Sequence, residues 1–244
     1  QLDVNGKHIG QVNGLSVLSI GSFHFGEPTR ITASCRYGDD AIIDIEREVE
    51  LGGNLHAKGV MILAAYLGSF YAADKPLSMA ASIVFEQNYG EIDGDSATVA
   101  ELCALLSSIA RIPLKQSIAI TGSMNQFGHV QAIGGVNEKI EGFYDVCCLV
   151  GMTGTQGVII PRSNMQHLML KPEVRQSVEN GLFHIYAVDD ISDAINVLSE
   201  YEAGAADEHG NYPENSFNGA VAARLANWAE LHKHDKDSSH EAND

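Results

Sequence analysis

The sequence predicts an α+β fold of mixed sheets and packed helices. Residues 9–37 alternate polar and apolar side chains, as short antiparallel strands do, and are interrupted by Asn13-Gly14, Gly21 and Gly26. From residue 80 to 200 strand-like and helix-like runs take turns. Composition agrees: 45% hydrophobic and 19% charged residues in a chain of 244 describe a molecule that buries a sizeable core.

The elements follow in order. Residues 41–48 continue the strand alternation, with Ile43 and Ile45 on one face. After Gly52-Gly53, Asn54 is placed to cap a helix running to about Ala72, with Val60, Leu63, Ala64 and Leu67 at helical spacing. Residues 80–87 form a strand. Residues 97–110 form a helix whose stripe is Val99, Leu102, Leu105, Leu106 and Ile109. Residues 116–122 and 130–133 are strands, and Gly134-Gly135 opens a helix to about Val150. A strand over 157–161 precedes short helices over 164–170 and 172–180, a strand over 183–188 and a helix over 191–201. Residues 202–218 are polar and read as a linker. A short amphipathic helix over 220–231 and a disordered charged tail from His232 to Asp244 complete the chain.

The net charge of −17 argues against nucleic acid as a partner, because phosphate binding needs a basic face. Cys35, Cys103, Cys147 and Cys148 show no C-x-x-C spacing, which suits a reduced, cytoplasmic protein. No signal peptide and no membrane-spanning run is evident. The start at Gln1 reads as a cut from a longer protein. Phosphate-loop and zinc motifs are missing, so no cofactor or metal is expected in this chain. The histidines His232, His234 and His240 read as part of a solvated tail.

The chemistry centres on Asp93-Gly94-Asp95-Ser96-Ala97, between a strand and a helix. A serine at a helix start is either an N-cap or a nucleophile served by the helix dipole and free backbone N–H groups. Lys139, one turn into the helix after Gly134-Gly135, is either an exposed helix lysine or a general base kept neutral by burial. Lys58 is a rival base, and His56 or His129 would be needed for a Ser-His-Asp triad.

These residues together resemble the proteolytic domain of Lon proteases, the serine peptidases with a Ser-Lys dyad. Asp93-Gly94-Asp95-Ser96-Ala97 resembles the nucleophile segment of that family, and Gly134-Gly135-Val136-Asn137-Glu138-Lys139 its lysine segment. Thr121-Gly122 stands where the family has Thr-Gly at a strand end. A finer resemblance is to a bacterial Lon-like branch, through Asp44 to Gly53, His56 to Gly59, Phe85 to Gly90, Ala132 to Phe143 and His184 to Ala187. The family pattern has proline where this chain has Asp95, and glutamate where it has Ser123.

The resemblance implies the fold of the second domain of ribosomal protein S5 over residues 1–202, with 203–244 as linker, short helix and acidic tail. It implies a hexamer, and an N-terminal ATPase module, using ATP and magnesium, outside this chain. The implied activity is ATP-dependent endopeptidase cleavage of unfolded or damaged proteins, a quality-control role. Ser96 would be the nucleophile and Lys139 its base. Thr121 would direct the lysine, the backbone around Asp95 and Ser96 would hold the oxyanion, and Asp93 would order the loop. The alternative is a non-catalytic scaffold that oligomerises an ATPase.

Overall fold

The structure, a computed structural model, describes residues 2–38 and 42–241, with side chains as far as Asp235. The first half comprises β1 (Lys7–His8), β2 (Gln11–Ile20), β3 (Phe23–Tyr37), β4 (Ile42–Asp44), α1 (Ile45–Glu48), α2 (Asn54–Tyr71), β5 (Met79–Phe85) and α3 (Thr98–Ala110). The second comprises β6 (Leu114–Lys115), β7 (Ile118–Ile120), β8 (Ser123–Met124), β9 (Val130–Gln131), α4 (Val136–Val150), β10 (Gly157–Pro161), α5 (Pro172–Glu179), β11 (His184–Val188), α6 (Ile191–Leu198) and α7 (Phe217–Glu241). A 3₁₀ turn spans Arg162–His167.

Seven strands form one mixed sheet in the order β11-β10-β7-β2-β3-β5-β4. Its antiparallel part is β2-β3-β5, and β7, β10 and β11 run parallel to one another. Side-chain alternation divides the core between the two faces. On β10, Ile159 joins the larger core with α3, while Val158 and Ile160 join a second core with α4. On β7, Ile118 and Ile120 face α3, and Ala119 faces α4. Helices α3 and α4 therefore lie on opposite faces.

Several expectations are corrected. Asn13-Gly14 and Gly26 lie inside long strands rather than at turns; the one tight turn of that hairpin is Gly21-Ser22, with Gly21 at φ 62°. The glycines serve close approach. A Cβ on Gly26 would strike the Glu138 carbonyl and lie 2.8 Å from Lys139 Cα, and one on Gly142 would strike Gly26 in return. Helix α4 thus rests directly on the backbone of β3.

The strand expected over 41–48 gives way after Asp44 to the turn of helix α1, because buried Glu46 turns inward and accepts from Phe85 N at 3.0 Å; Ala41 lies outside the described residues. The residue capping α2 is Gly53, not Asn54, and Asp93 Oδ1 accepts from Leu55 N at 3.2 Å from a neighbouring loop. The helix expected over 164–170 is the 3₁₀ turn, and α6 stops at Leu198, short of Tyr201.

The C-terminal expectation also changes. Helix α7 is 25 residues long and includes His232–Glu241, where disorder was expected. Phe217, Val221, Leu225 and Trp228 lie on one stripe and belong to the same core as Leu102 and Leu105 of α3. Tyr37 donates to Asp235 at 2.6 Å further along. The side chain of His240 and residues 242–244 lie outside the described part.

Gly26→Ala should lower unfolding free energy by about 3 kcal/mol, since the methyl meets helix backbone that has no rotamer to yield. Urea denaturation of the variant against the parent chain checks this; an unchanged midpoint contradicts the close-approach argument.

Candidate active site

Ser96 lies two residues before the first residue of α3 and does not cap it, since the N-cap position is Ala97. Thr98 does the local work: its N and Oγ1 both donate to the Asp95 carbonyl, at 3.2 and 2.8 Å. The Ser96 hydroxyl is left for other partners.

Those partners come from across the sheet. Lys139 Nζ donates to Ser96 Oγ at 3.0 Å and to Thr121 Oγ1 at 3.2 Å. Thr121, just past the end of β7, donates its own hydroxyl to the Ser96 carbonyl at 3.3 Å, which leaves its lone pairs for the lysine. Gly122 N also donates to the Ser96 carbonyl, at 2.8 Å, and Val99 N donates to the Gly122 carbonyl at 3.1 Å. Ser96 from the α3 layer and Lys139 from the α4 layer thus meet beyond the end of β7, with Thr121 between them.

Lys139 is 3% exposed, not a surface helix lysine. Burial pushes its ammonium down to about 8, and the Asp95 carboxylate pulls in the opposite direction. At pH 7 such a lysine is neutral in roughly one molecule in ten, against about one in three thousand for an ordinary lysine. A general base is therefore available near neutral pH.

A cleft of about 520 Å³ opens over the pair. Leu15 and Val17 of β2 form one wall, Glu91 to Ala97 another, and Ala132 to Gly135 a third. Among the described residues, the amides of Asp95 and Ser96 have no hydrogen-bond acceptor. Such free N–H groups beside a nucleophile suit an oxyanion. The rival groups fall elsewhere: Lys58 lines a separate surface hollow, His129 forms a bridge with Asp190, and His56 is buried among carboxylates.

The residues match known proteins along the same stretch. Positions 85–200 fit the model of the Lon protease (S16) C-terminal proteolytic domain. The chain is 51% identical to a Lon protease homolog of Escherichia coli strain K12 over 199 residues, 81% of its length. The chain belongs to the Lon proteolytic-domain family. A Lon protease homolog of Haemophilus influenzae is 48% identical over 87% of the chain, and an archaeal Lon protease of Methanocaldococcus jannaschii is 36% identical over 64%. The chain spans about a third of these bacterial relatives, 34% and 35%, and 24% of the archaeal one. The two-faced mixed sheet is the architecture of the Lon proteolytic domain.

One feature of this Lon domain escaped sequence reasoning. Glu101 of α3 is buried with Asp44, Glu46 and His56, a group of three carboxylates and one imidazole behind the nucleophile segment. Its signal was a lone glutamate in the apolar run Val99 to Leu106.

Asp95→Asn removes the charge that holds the Lys139 ammonium up, so its titration should move below about 8. The side-chain nitrogen resonance of Lys139, followed against pH in both proteins, measures the shift; a rise or no change contradicts the assignment.

Proposed function

We propose that this chain is the proteolytic part of an ATP-dependent serine endopeptidase, with Ser96 as nucleophile and Lys139 as general base. The observation that carries the reading is the 3.0 Å contact of Lys139 Nζ with Ser96 Oγ at the floor of a cleft. Family membership supports it.

Neutral Lys139 takes the Ser96 hydroxyl proton as Oγ bonds to the scissile carbonyl carbon. The carbonyl electron pair moves to oxygen, and the free amides of Asp95 and Ser96 receive the oxyanion. Collapse breaks the C–N bond, and the leaving amine takes the proton from the lysine ammonium. Water then attacks the acyl-Ser96 ester, giving its proton to Lys139, which returns it to Ser96 Oγ as the acid leaves. Thr121 holds Nζ toward Ser96 throughout. Asp93, which caps α2 at Leu55 N, orders the nucleophile loop without touching the reacting atoms.

The substrates proposed are unfolded or damaged protein chains. The complete protein is proposed to supply an N-terminal ATPase module with ATP and magnesium, to assemble as a hexamer, and to work in the cytoplasm. No described helix is long and apolar enough to cross a membrane. The second reading, a non-catalytic scaffold, rests on Asp95 standing where the family pattern has proline.

Ser96→Ala and Lys139→Ala should each lower unfolded-casein degradation by the complete protein with ATP about a thousandfold or more, while leaving assembly intact. Undiminished cleavage by either variant sinks the dyad. A peptide boronate that labels Ser96 of the parent chain removes the scaffold reading; failure to label supports it. The chain alone should cleave short peptides slowly and leave folded proteins intact, as gel assays without ATP will show.

A further inference from the structure

The segment that presents Ser96 is a strap between two helices. At one end Gly53 N donates to the Ile92 carbonyl and Ile92 N to the Leu51 carbonyl, both at 2.8 Å, next to the Asp93 cap of α2. At the other end the strap becomes the first turn of α3, where Glu101 N donates to the Ala97 carbonyl at 2.9 Å. Gly59 of α2 lets the two ends close together, since a Cβ there would strike Thr98 Oγ1 and come within 3.7 Å of Asp95 Cα. The orientation of Ser96 therefore depends on how the N-terminal turns of α2 and α3 sit against each other, besides the bonds of its carbonyl to Gly122 N and Thr121 Oγ1.

His56 lies between those turns, 1% exposed. Its Nε2 is 3.0 Å from Asp44 Oδ2 at the end of β4, and its Nδ1 is 3.7 Å from Glu101 Oε1 on α3. Glu46 of α1 adds a third carboxylate, engaged with Phe85 N, and the Phe85 ring meets the imidazole edge-on at 5.5 Å. Carboxylates face both ring nitrogens, and a neutral imidazole has only one N–H. A proton carried by Nδ1 or by Glu101 relieves the conflict across that 3.7 Å gap, which is too long for a formed hydrogen bond. Burial lifts the Glu101 carboxyl to about 7, while His56, which burial alone would lower, is raised on balance by Asp44, Glu101 and Glu46. Without the imidazole, Asp44 and Glu101 would be left as buried, uncompensated acids on different elements.

We propose that His56 is a positioning residue for the Ser96–Lys139 site: clamped between Asp44 and Glu101, it locks the first turns of α2 and α3 together and so fixes the strap that presents Ser96. This rests on the endopeptidase reading for its effect on rate, though the clamp itself is read independently of cleavage. Lys139 reaches Ser96 from the α4 face and Thr121 from the end of β7, so neither is part of the clamp.

The test compares His56→Gln and Glu101→Gln with the parent chain by amide hydrogen exchange and peptide kinetics. In His56→Gln the Gly53 and Ile92 amides should exchange about tenfold faster or more, while the His184 amide, on the far edge of the sheet, stays unchanged. Its kcat should fall about tenfold or more with KM within about twofold. Glu101→Gln, which keeps a polar group of the same shape facing Nδ1, should keep both near parent values. Exchange at parent rates, acceleration that includes His184 equally, or an unchanged kcat overturns the proposal. Should His56→Gln fail to fold, nitrogen spectra of the parent imidazole at about pH 7 decide: a proton at or shared with each ring nitrogen supports the clamp, and a bare Nδ1 lone pair overturns it. A parent chain that cleaves no peptide sinks the endopeptidase reading instead, and the exchange rates still decide whether His56 holds the strap.

Discussion

The rest of the structure depends on the burial of one amine. An ammonium away from water is costly unless it is paired, and among the described residues Lys139 Nζ donates to two hydroxyls, Ser96 Oγ and Thr121 Oγ1. That arrangement holds only if α3 and α4, on opposite faces of the sheet, keep their relative height to a fraction of an ångström. The sheet provides this through backbone contact. Gly26 and Gly142 let α4 lie on β3 without an intervening side chain, and the Gly122 amide and carbonyl tie the start of α3 to the end of β7. Glycines that would be weak points in an ordinary strand act here as locators.

A second constraint runs beneath the nucleophile segment. Asp93 spans the two: its carboxylate caps α2 while its backbone belongs to the strap. The strap is thus held by backbone pairing at Ile92, by the cap at Asp93 and by the Thr98 bonds to Asp95. With Ser96 relieved of any capping duty, its hydroxyl turns toward the lysine. The same few residues fix both the helix end and the position of the Ser96 oxygen.

Much of this was legible in the sequence. Helical periodicity located α2 and α3, paired glycines marked the start of α4, and short apolar runs marked the parallel strands. Ser96, Thr121 and Lys139 were found through family-like spacing, and the structure brings these three side chains together. What periodicity misplaced were positions whose cause is non-local. Gly14 and Gly26 looked like turns because a glycine that admits a neighbouring helix or side chain has the same letter as one that reverses the chain. Residues 45–48 alternate as a strand would, yet Glu46 is drawn inward by the Phe85 amide, 39 positions away. The α7 stripe was visible, but nothing local announced that it docks on α3, and charge density beyond Leu231 suggested disorder. The carboxylate cluster was least legible, since Asp44, His56 and Glu101 gain meaning only from being adjacent.

Asp95, the departure from the family's proline, is best judged by what a shared acid-base residue must do. In the proposed mechanism Lys139 takes a proton from Ser96 and later gives one to a leaving amine, so a very low pKa would serve the first step poorly and a very high one would leave almost no base. Burial alone drives the amine toward the weak-base extreme. A carboxylate at Asp95 opposes that drive, and the balance falls at about 8, where both proton transfers remain accessible near neutral pH. The acid that stands in place of the family's proline thus acts on the base. Its carboxylate stabilises the ammonium, and the ammonium is the form that must exist while the oxyanion exists. In the tetrahedral intermediate of the proposed reaction, the two opposing charges would each meet a partner, the cation Asp95 and the oxyanion the backbone amides, which is the arrangement an acyl-transfer site requires.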